Sequence, residues 1–102
     1  MNPVKIQIKK ELKQLAKDLR IQKNLFKSKQ REGTDTWEDL RTKYRLKNEF
    51  RHRHIARCLL RGTSYELIEP KVRVGNEPDM DSVESYKKEY LTRLEEVSDE
   101  QV

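Results

Sequence analysis

Cysteine, glycine, proline and aromatic residues are all scarce in this chain of 102 residues. It has one cysteine, Cys58, three glycines and three prolines, and aromatic residues make up 7% of it. A single cysteine excludes an intramolecular disulfide and a multi-thiolate zinc site, and it is typical of a reducing compartment. The small number of glycines and prolines disfavours a sandwich or barrel and favours long helices. The sequence therefore predicts an all-α fold.

Long apolar runs are also missing. No run approaches the roughly 18 residues that span a bilayer, and residues 1–10 lack the apolar core of a secretion signal. Hydrophobic residues make up 33% of the chain, and a chain of this size buries only about two thirds of its unfolded surface. We therefore expect a soluble cytoplasmic protein without membrane contact. A single helical domain over residues 1–97 should have a thin core, which leaves a homodimer open, and residues 98–102 should fray.

The two ends of the chain carry charge of opposite sign. Residues 1–32 hold ten Lys and Arg against three acids, residues 33–61 eight against four, and residues 62–102 five against eleven. A polyanion would be attracted to the first two thirds of the chain and repelled by the last third. The sequence therefore predicts an oriented binding surface for a polyanion.

The first part of the chain predicts one long helix over residues 3–31. Asn2 can cap it, Pro3 suits the first helical position because its missing N–H would have no partner there, and Gly33 suits the stop. A seam with heptad spacing follows the helix and consists of Ile8, Leu12, Leu15, Leu19, Gln22 and Phe26. We expect this seam to pack within the domain, and a dimeric coiled coil is the alternative.

A second helix is predicted over residues 36–61. Thr36 and Asp39 have capping-box spacing at its start, and Gly62 follows its end. Its expected core face, taken at 100° per residue, consists of Trp37, Leu40, Tyr44, Ile55, Cys58 and Leu59. We expect the two long helices to pack antiparallel.

Another face of the second helix is basic, with an aromatic ring among the cations. It consists of Lys43, Leu46, Lys47, Phe50, Arg53, His54, Arg57 and Arg61. Guanidinium groups pair bidentately with phosphate oxygens and an exposed ring stacks on a base, so this face indicates a contact with a phosphate backbone. With lysines of the first helix, the predicted nucleic-acid site is Lys9, Lys13, Lys17, Lys43, Lys47, Phe50, Arg53, His54, Arg57 and Arg61. In the alternative, Leu46 and Phe50 pack under the first helix and the arginines form a solvated rim.

The rest of the chain predicts shorter elements. Thr63 and Glu66 have capping-box spacing for a short helix over residues 64–69, which Pro70 ends. A loop over residues 70–80 precedes a last helix over residues 81–97, with Asp81 as its cap. The expected apolar face of this helix consists of Val83, Tyr86, Tyr90, Leu94 and Val97.

The run from His54 to Glu69 combines an apolar helix, a Leu-Leu-x-Gly end and a Ser-Tyr-x-x-Ile opening of the next helix. It resembles the first two helices of the helix-turn-helix in sigma-factor region four and related response-regulator domains, and the resemblance implies DNA binding. In that family a basic recognition helix follows within a few residues. Here Pro70 and a loop intervene and the next helix is acidic, so we do not expect residues 81–97 to read the major groove. The chain also looks like the small basic helical proteins of tailed phages and mobile elements.

Residues suited to catalysis are too few to predict an enzyme. His52 and His54 lie 200° apart on a helix and cannot share a metal, while His54 and Cys58 supply two ligands where a closed zinc site needs four. The sequence has no glycine-rich phosphate loop and no nucleophile with a plausible base and orienting acid. We therefore predict no enzymatic activity, no cofactor and no metal, with Cys58 in the core and His52 at its boundary.

Three functions of different classes remain compatible with the sequence. The first is nucleic-acid binding, most simply to duplex DNA, through phosphates and with little sequence preference. The second is a protein-interaction module, such as a phage inhibitor or adaptor of a host protein, with Trp37 or Phe50 as anchors. The third is a structural oligomer built on the seam around Leu12, Leu15 and Leu19.

Overall fold

The computed structural model describes residues 3–64, 67–68 and 78–100, with side chains up to Glu96, and these residues form an all-α structure with three helices. α1 spans Pro3–Glu32, α2 spans Trp37–Leu60 and α3 spans Met80–Glu100. The all-α prediction is confirmed, and the predicted ranges 3–31, 36–61 and 81–97 differ from these bounds by three residues at most. No helix among the described residues combines the length and the apolarity needed to cross a bilayer.

Glycine ends both long helices, as the sequence predicts. Gly62 has φ of 86°, in the left-handed region that a residue without a Cβ enters freely. The N–H of Thr63 then returns to the Cys58 carbonyl at 3.1 Å, which is the long bond of a Schellman motif. Gly33, with φ of 72°, ends α1 by the same motif. The last-turn carbonyls of both helices therefore gain donors without help from the rest of the fold.

The start of α2 is fixed by the predicted capping box. The Asp39 N–H donates to the Thr36 hydroxyl at 3.2 Å, and the Thr36 N–H donates to the Asp39 carboxylate at 3.0 Å. The same carboxylate accepts a bond from the Lys29 ammonium at 3.0 Å, which links the end of α1 to the start of α2. The bonds from Lys29 and Thr36 hold the pKa of Asp39 below its usual value. The two helices form an antiparallel hairpin joined by residues 33–36.

The core lies where α3 meets the hairpin. Its buried residues are Ile8, Leu12, Ile55, Ala56, Ile68, Val83 and Tyr90. Ile55, Val83 and Tyr90 are the largest side chains that are fully buried. Leu12 and Leu19, the centre of the predicted seam, are buried against the chain's own helices. The seam thus packs within the domain, as expected, and offers little surface for a coiled-coil dimer.

Asp79 caps α3, two residues before the predicted cap Asp81, so that prediction is wrong. The Asp79 carboxylate accepts the Ser82 hydroxyl at 2.9 Å and the Asp81 N–H at 3.1 Å, and these bonds, led by that from Ser82, lower the pKa of Asp79. A contact with α2 selects Asp79, because its N–H donates to Nε2 of His52 at 2.9 Å. Nδ1 of the buried His52 lies 2.6 Å from the Asn48 carbonyl, so both ring nitrogens are bonded.

Two further predictions concern the second half of the chain. The tail over residues 98–102 was expected to fray; α3 includes residues up to Glu100, residues 101 and 102 lie outside the described residues, and the fraying stays a prediction. Residues 67 and 68 are helical, as the short helix over 64–69 requires, and the Leu67 N–H bonds the Ser64 carbonyl at 3.0 Å. Tyr65, Glu66 and residues 69–77 lie outside the described residues, so the resemblance to a helix-turn-helix and most of the predicted loop stay predictions.

The predicted core face of α2 is only half right. Ile55 is completely buried, but Trp37 is 72% exposed and Tyr44 is 50% exposed. The reason is that α3 and Ile68 cover the C-terminal half of α2, where Ile55 lies, and leave its N-terminal half to α1 alone. We call residues 19–47 the arm, and only Leu19 and Phe26 are buried within it.

Candidate nucleic-acid interface

The residues predicted to bind nucleic acid do not form one surface. Lys43 and Lys47 lie on the arm, whereas Lys9, Arg57 and Arg61 line a pocket at the other end of the hairpin. Lys9 and Lys23, which mark these two places on α1, are about 20 Å apart along the helix axis at 1.5 Å per residue. The remaining predicted residues divide between exposed positions, which are Lys13 and Lys17, and positions engaged inside the protein, which are Phe50, Arg53 and His54.

Three lysines of the arm, Lys23, Lys43 and Lys47, lie near one another, and the buried Arg51 lies just beyond the arm. Lys47 is half-buried, and both this burial and the positive charges of Lys23, Lys43 and Arg51 lower its pKa. The charged neighbours that lower the pKa of Lys47 are therefore all positive, as Lys47 itself is. Such a cluster raises the local positive potential and costs folding energy unless an anion relieves it. We call Lys23, Lys43 and Lys47 the arm cluster, and Arg51 is left out of it because its side chain is buried.

An aromatic ring lies within the arm cluster. The Nζ atoms of Lys43 and Lys47 lie 5.6 Å and 5.8 Å from the centroid of the Tyr44 ring. Lys43 also lies over the Phe26 ring at 5.0 Å, which attaches it to the buried side of α1. These are cation–π distances, so the ring helps to hold both ammonium groups beside Tyr44. Half of Tyr44 remains exposed to solvent.

A second set of cations surrounds an apolar pocket of about 340 Å³. Lys5, Lys9, Arg57 and Arg61 line it together with Ile6, Ile8, Leu60, Tyr90 and Leu94. The structure therefore brings three predicted residues, Lys9, Arg57 and Arg61, to one place, where α1 begins and α2 ends.

The sequence places Arg53 on an outer basic face, but in the structure its guanidinium contacts α3 instead. Its Nη1 atom lies 2.6 Å from the Glu89 carboxylate and 3.4 Å from the Tyr90 hydroxyl, and its Nε atom lies 3.1 Å from Glu49. The guanidinium also lies over the Tyr86 ring at 4.2 Å. Burial opposes the charged form, but the bonds to Tyr90 and Glu89 outweigh it and raise the pKa of Arg53. Carboxylates of the chain therefore neutralise this arginine.

Phe50 and His54 are also engaged within the protein. Phe50 packs against the core, and its ring stacks on the His54 ring with centroids 5.7 Å apart and 13° between the planes. His54 Nε2 lies 3.7 Å from Cys58 Sγ. Phe50 thus packs as the alternative interpretation requires, and it is not an outer stacking ring. Arg57 is half-buried and Arg61 is exposed at the C-terminal end of α2.

Sequence reasoning missed Lys23, Trp37 and Tyr44 as candidate interface residues. Trp37 and Tyr44 share a helical face with Ile55, so periodicity placed them in the core. A signal against this placement was present, because Tyr44 has lysines on both sides, at positions 43 and 47. Charged neighbours favour solvent around Tyr44, but they do not show whether another helix covers this half of α2.

Comparisons with known proteins add no family to this picture, because no family model, no curated protein and no solved structure matches the chain. Within the described residues, no group of three or more His, Cys, Asp or Glu side chains could hold a metal ion. The absence of enzymatic activity stays a prediction.

Proposed function

We propose that this protein binds nucleic acid through the phosphate backbone, at the arm cluster, with little sequence preference. The observation that carries the proposal is the position of the half-buried Lys47 among other cations, with its ammonium and that of Lys43 both less than 6 Å from the centroid of the Tyr44 ring. A phosphate placed there would remove like-charge repulsion and gain several ammonium contacts at once. Lysine contacts of this kind attract every sequence about equally, because phosphates carry no base identity.

The charge of the whole arm supports the same ligand. Residues 19–47 hold nine Lys and Arg against four acids, and one of those acids, Asp39, is paired with Lys29. The acidic helix α3 lies at the other end of the hairpin, where Arg53 contacts Glu89 and Arg93 contacts Glu11. An incoming polyanion therefore meets the arm first. If three or four phosphates are neutralised, affinity should fall about 20- to 150-fold between 50 and 200 mM salt.

The test compares two double variants of equal charge change. Lys23→Gln with Lys47→Gln removes two members of the arm cluster, and Lys10→Gln with Lys88→Gln removes two exposed lysines elsewhere. We expect the first pair to weaken oligonucleotide binding by more than about tenfold, and to reduce the slope of log affinity against log salt by about two. The control pair should change affinity by less than about threefold. Fluorescence anisotropy measures both, and circular dichroism confirms that helicity is kept.

Two results would contradict the proposal. Equal losses in both double variants would show diffuse attraction to a basic protein without a binding surface. No binding of DNA or RNA at 50 mM salt would exclude nucleic acid as the ligand.

A protein-interaction module is the second candidate, and one observation favours it. Ile21 and Leu25 lie one helical turn apart on α1 and are 57% and 45% exposed. Such a pair on the arm suits an apolar groove of a partner protein. Binding through these side chains would survive salt concentrations that release phosphate contacts, and Ile21→Ser with Leu25→Ser would abolish it.

A further inference from the structure

The arm exposes two large rings on one face of α2. Trp37 is 72% exposed and Tyr44 is 50% exposed, and both lie in α2, so the helix sets their backbone positions before any ligand arrives. A separation of seven residues returns a side chain to nearly the same face after two turns, about 10.5 Å along the axis. Three stacked nucleotides of one strand, at 3.4 Å each, cover about the same length.

The cations around Tyr44 lie where a backbone would need them. A base stacked on the Tyr44 ring would have its phosphates on either side of the ring. Both ammonium groups lie over the ring, each less than 6 Å from its centroid. A stacking base would therefore take the place of the Lys47 ammonium, which would then pair with the adjacent phosphate. Contact of Lys43 with the Phe26 ring holds that ammonium beside Tyr44. Rings that stack bases next to cations that hold phosphates are the combination by which proteins bind single strands.

A duplex cannot use this arrangement. Its base faces are covered by neighbouring pairs, so only groove edges and phosphates are available to a protein. Exposed ring faces therefore gain nothing from a duplex, while a single strand offers a free face on every base. We infer that the arm binds single-stranded nucleic acid, by stacking bases on Trp37 and Tyr44 while the arm cluster holds the phosphates. This inference rests on the proposed function and narrows its ligand.

Trp37 is the only tryptophan of the chain, so its fluorescence reports stacking directly. The probes are oligodeoxythymidine and oligouridine of about 20 nucleotides, longer than a typical single-strand site, and a DNA duplex of the same length. We expect either single strand to quench Trp37 and to bind at least about tenfold more tightly than the duplex. The affinities for oligodeoxythymidine and oligouridine show whether the protein prefers DNA or RNA.

Variants of the rings separate stacking from charge. Tyr44→Leu and Trp37→Leu should each weaken binding of a labelled single strand about 5- to 100-fold, the range that base stacking on an aromatic ring produces. Trp37→Phe should restore part of the loss, because it keeps a ring face. Leu91→Ala changes a comparably exposed residue of α3, 42% accessible, and should have no effect. Duplex affinity should stay unchanged in all four variants.

The outcomes are distinguishable. Binding of duplex as tightly as single strand, with no effect of either ring variant, would overturn the inference and leave the phosphate contact of the arm cluster standing. Quenching of Trp37 without any loss in Tyr44→Leu would also overturn the two-ring arrangement. Absence of binding to all three probes would reject the proposed function and the inference together.

Discussion

We predict that Arg53→Met destabilises the protein and leaves nucleic-acid binding unchanged. The sequence predicts that Arg53 binds nucleic acid, whereas the structure pairs it with carboxylates of the protein itself. The side chain is only 21% exposed and its guanidinium contacts both Glu49 and Glu89. Tyr90, which is 1% exposed, directs its hydroxyl to the same guanidinium at 3.4 Å. Methionine keeps most of the apolar stem and removes the charge.

The magnitude follows from the contacts that are lost. Hydrogen bonds to charged groups contribute about 1.5–3 kcal/mol when buried, and the partial exposure of Glu49 and Glu89 reduces this to the lower end. The cation–π contact with Tyr86 adds about 0.5–1 kcal/mol. The total loss in unfolding free energy is then about 2–2.5 kcal/mol. In a domain of this size that corresponds to a Tm lower by about 10–20 °C.

Urea unfolding followed by circular dichroism measures the free energy, and anisotropy with a labelled oligonucleotide measures binding. Arg41→Met is the matched control, because Arg41 is an exposed arginine of the same helix and should change stability by less than about 0.5 kcal/mol. A double-mutant cycle of Arg53→Met with Glu89→Gln should give a coupling energy of about 0.5–1.5 kcal/mol. A stable Arg53→Met protein that had lost its affinity for nucleic acid would refute this reasoning and restore Arg53 to the binding surface.

Two further predictions concern the contacts that hold α3. The hydrogen bond from Arg93, more than any other cause, holds the pKa of Glu11 below its ordinary value, so this carboxylate stabilises the fold above about pH 5 and its contribution is lost as the pH falls through the lowered pKa. The free energy of unfolding, measured in urea, should therefore differ less between pH 7 and pH 3 in Glu11→Gln than in the unchanged protein. An equal difference in the two proteins would contradict this role of Glu11. His52→Leu leaves the Asp79 N–H without its acceptor, which should cost about 1–3 kcal/mol in unfolding free energy and increase amide exchange in the first turn of α3. A variant as stable as the unchanged protein would show that this contact does not hold the helix.

The contrast between α1 and α2 shows how far the sequence reaches. The buried face of α1 was predictable from the spacing of Ile8, Leu12, Leu19 and Phe26, because this helix has its partners on one side along its whole length. Periodicity alone failed for α2, whose buried residues include Arg51 and His52 beside Ile55 and Ala56. A single apolar face cannot describe a helix that contacts α1, α3 and Ile68 at different positions along its axis.

The candidate site was predictable to a similar degree. The excess of Lys and Arg in the first two thirds of the chain, and with it the class of ligand that we propose, is legible without coordinates. The sequence does not show which cations remain available to a ligand, because nothing in it distinguishes an arginine that pairs with Glu89 from one that faces water. Lys43 and Lys47 remained beside an exposed ring, while Arg53 was taken up by α3.

The sequence by itself determined the ends of the hairpin, because Gly33, Gly62 and the Thr36–Asp39 capping box act through bonds to residues at most five positions away. Only the tertiary structure decided that Asp79 caps α3, that Arg53 is neutralised and that Trp37 and Tyr44 face solvent. These outcomes depend on where α3 crosses the hairpin, and contacts between residues that are distant in the chain leave no local pattern from which that crossing could be predicted.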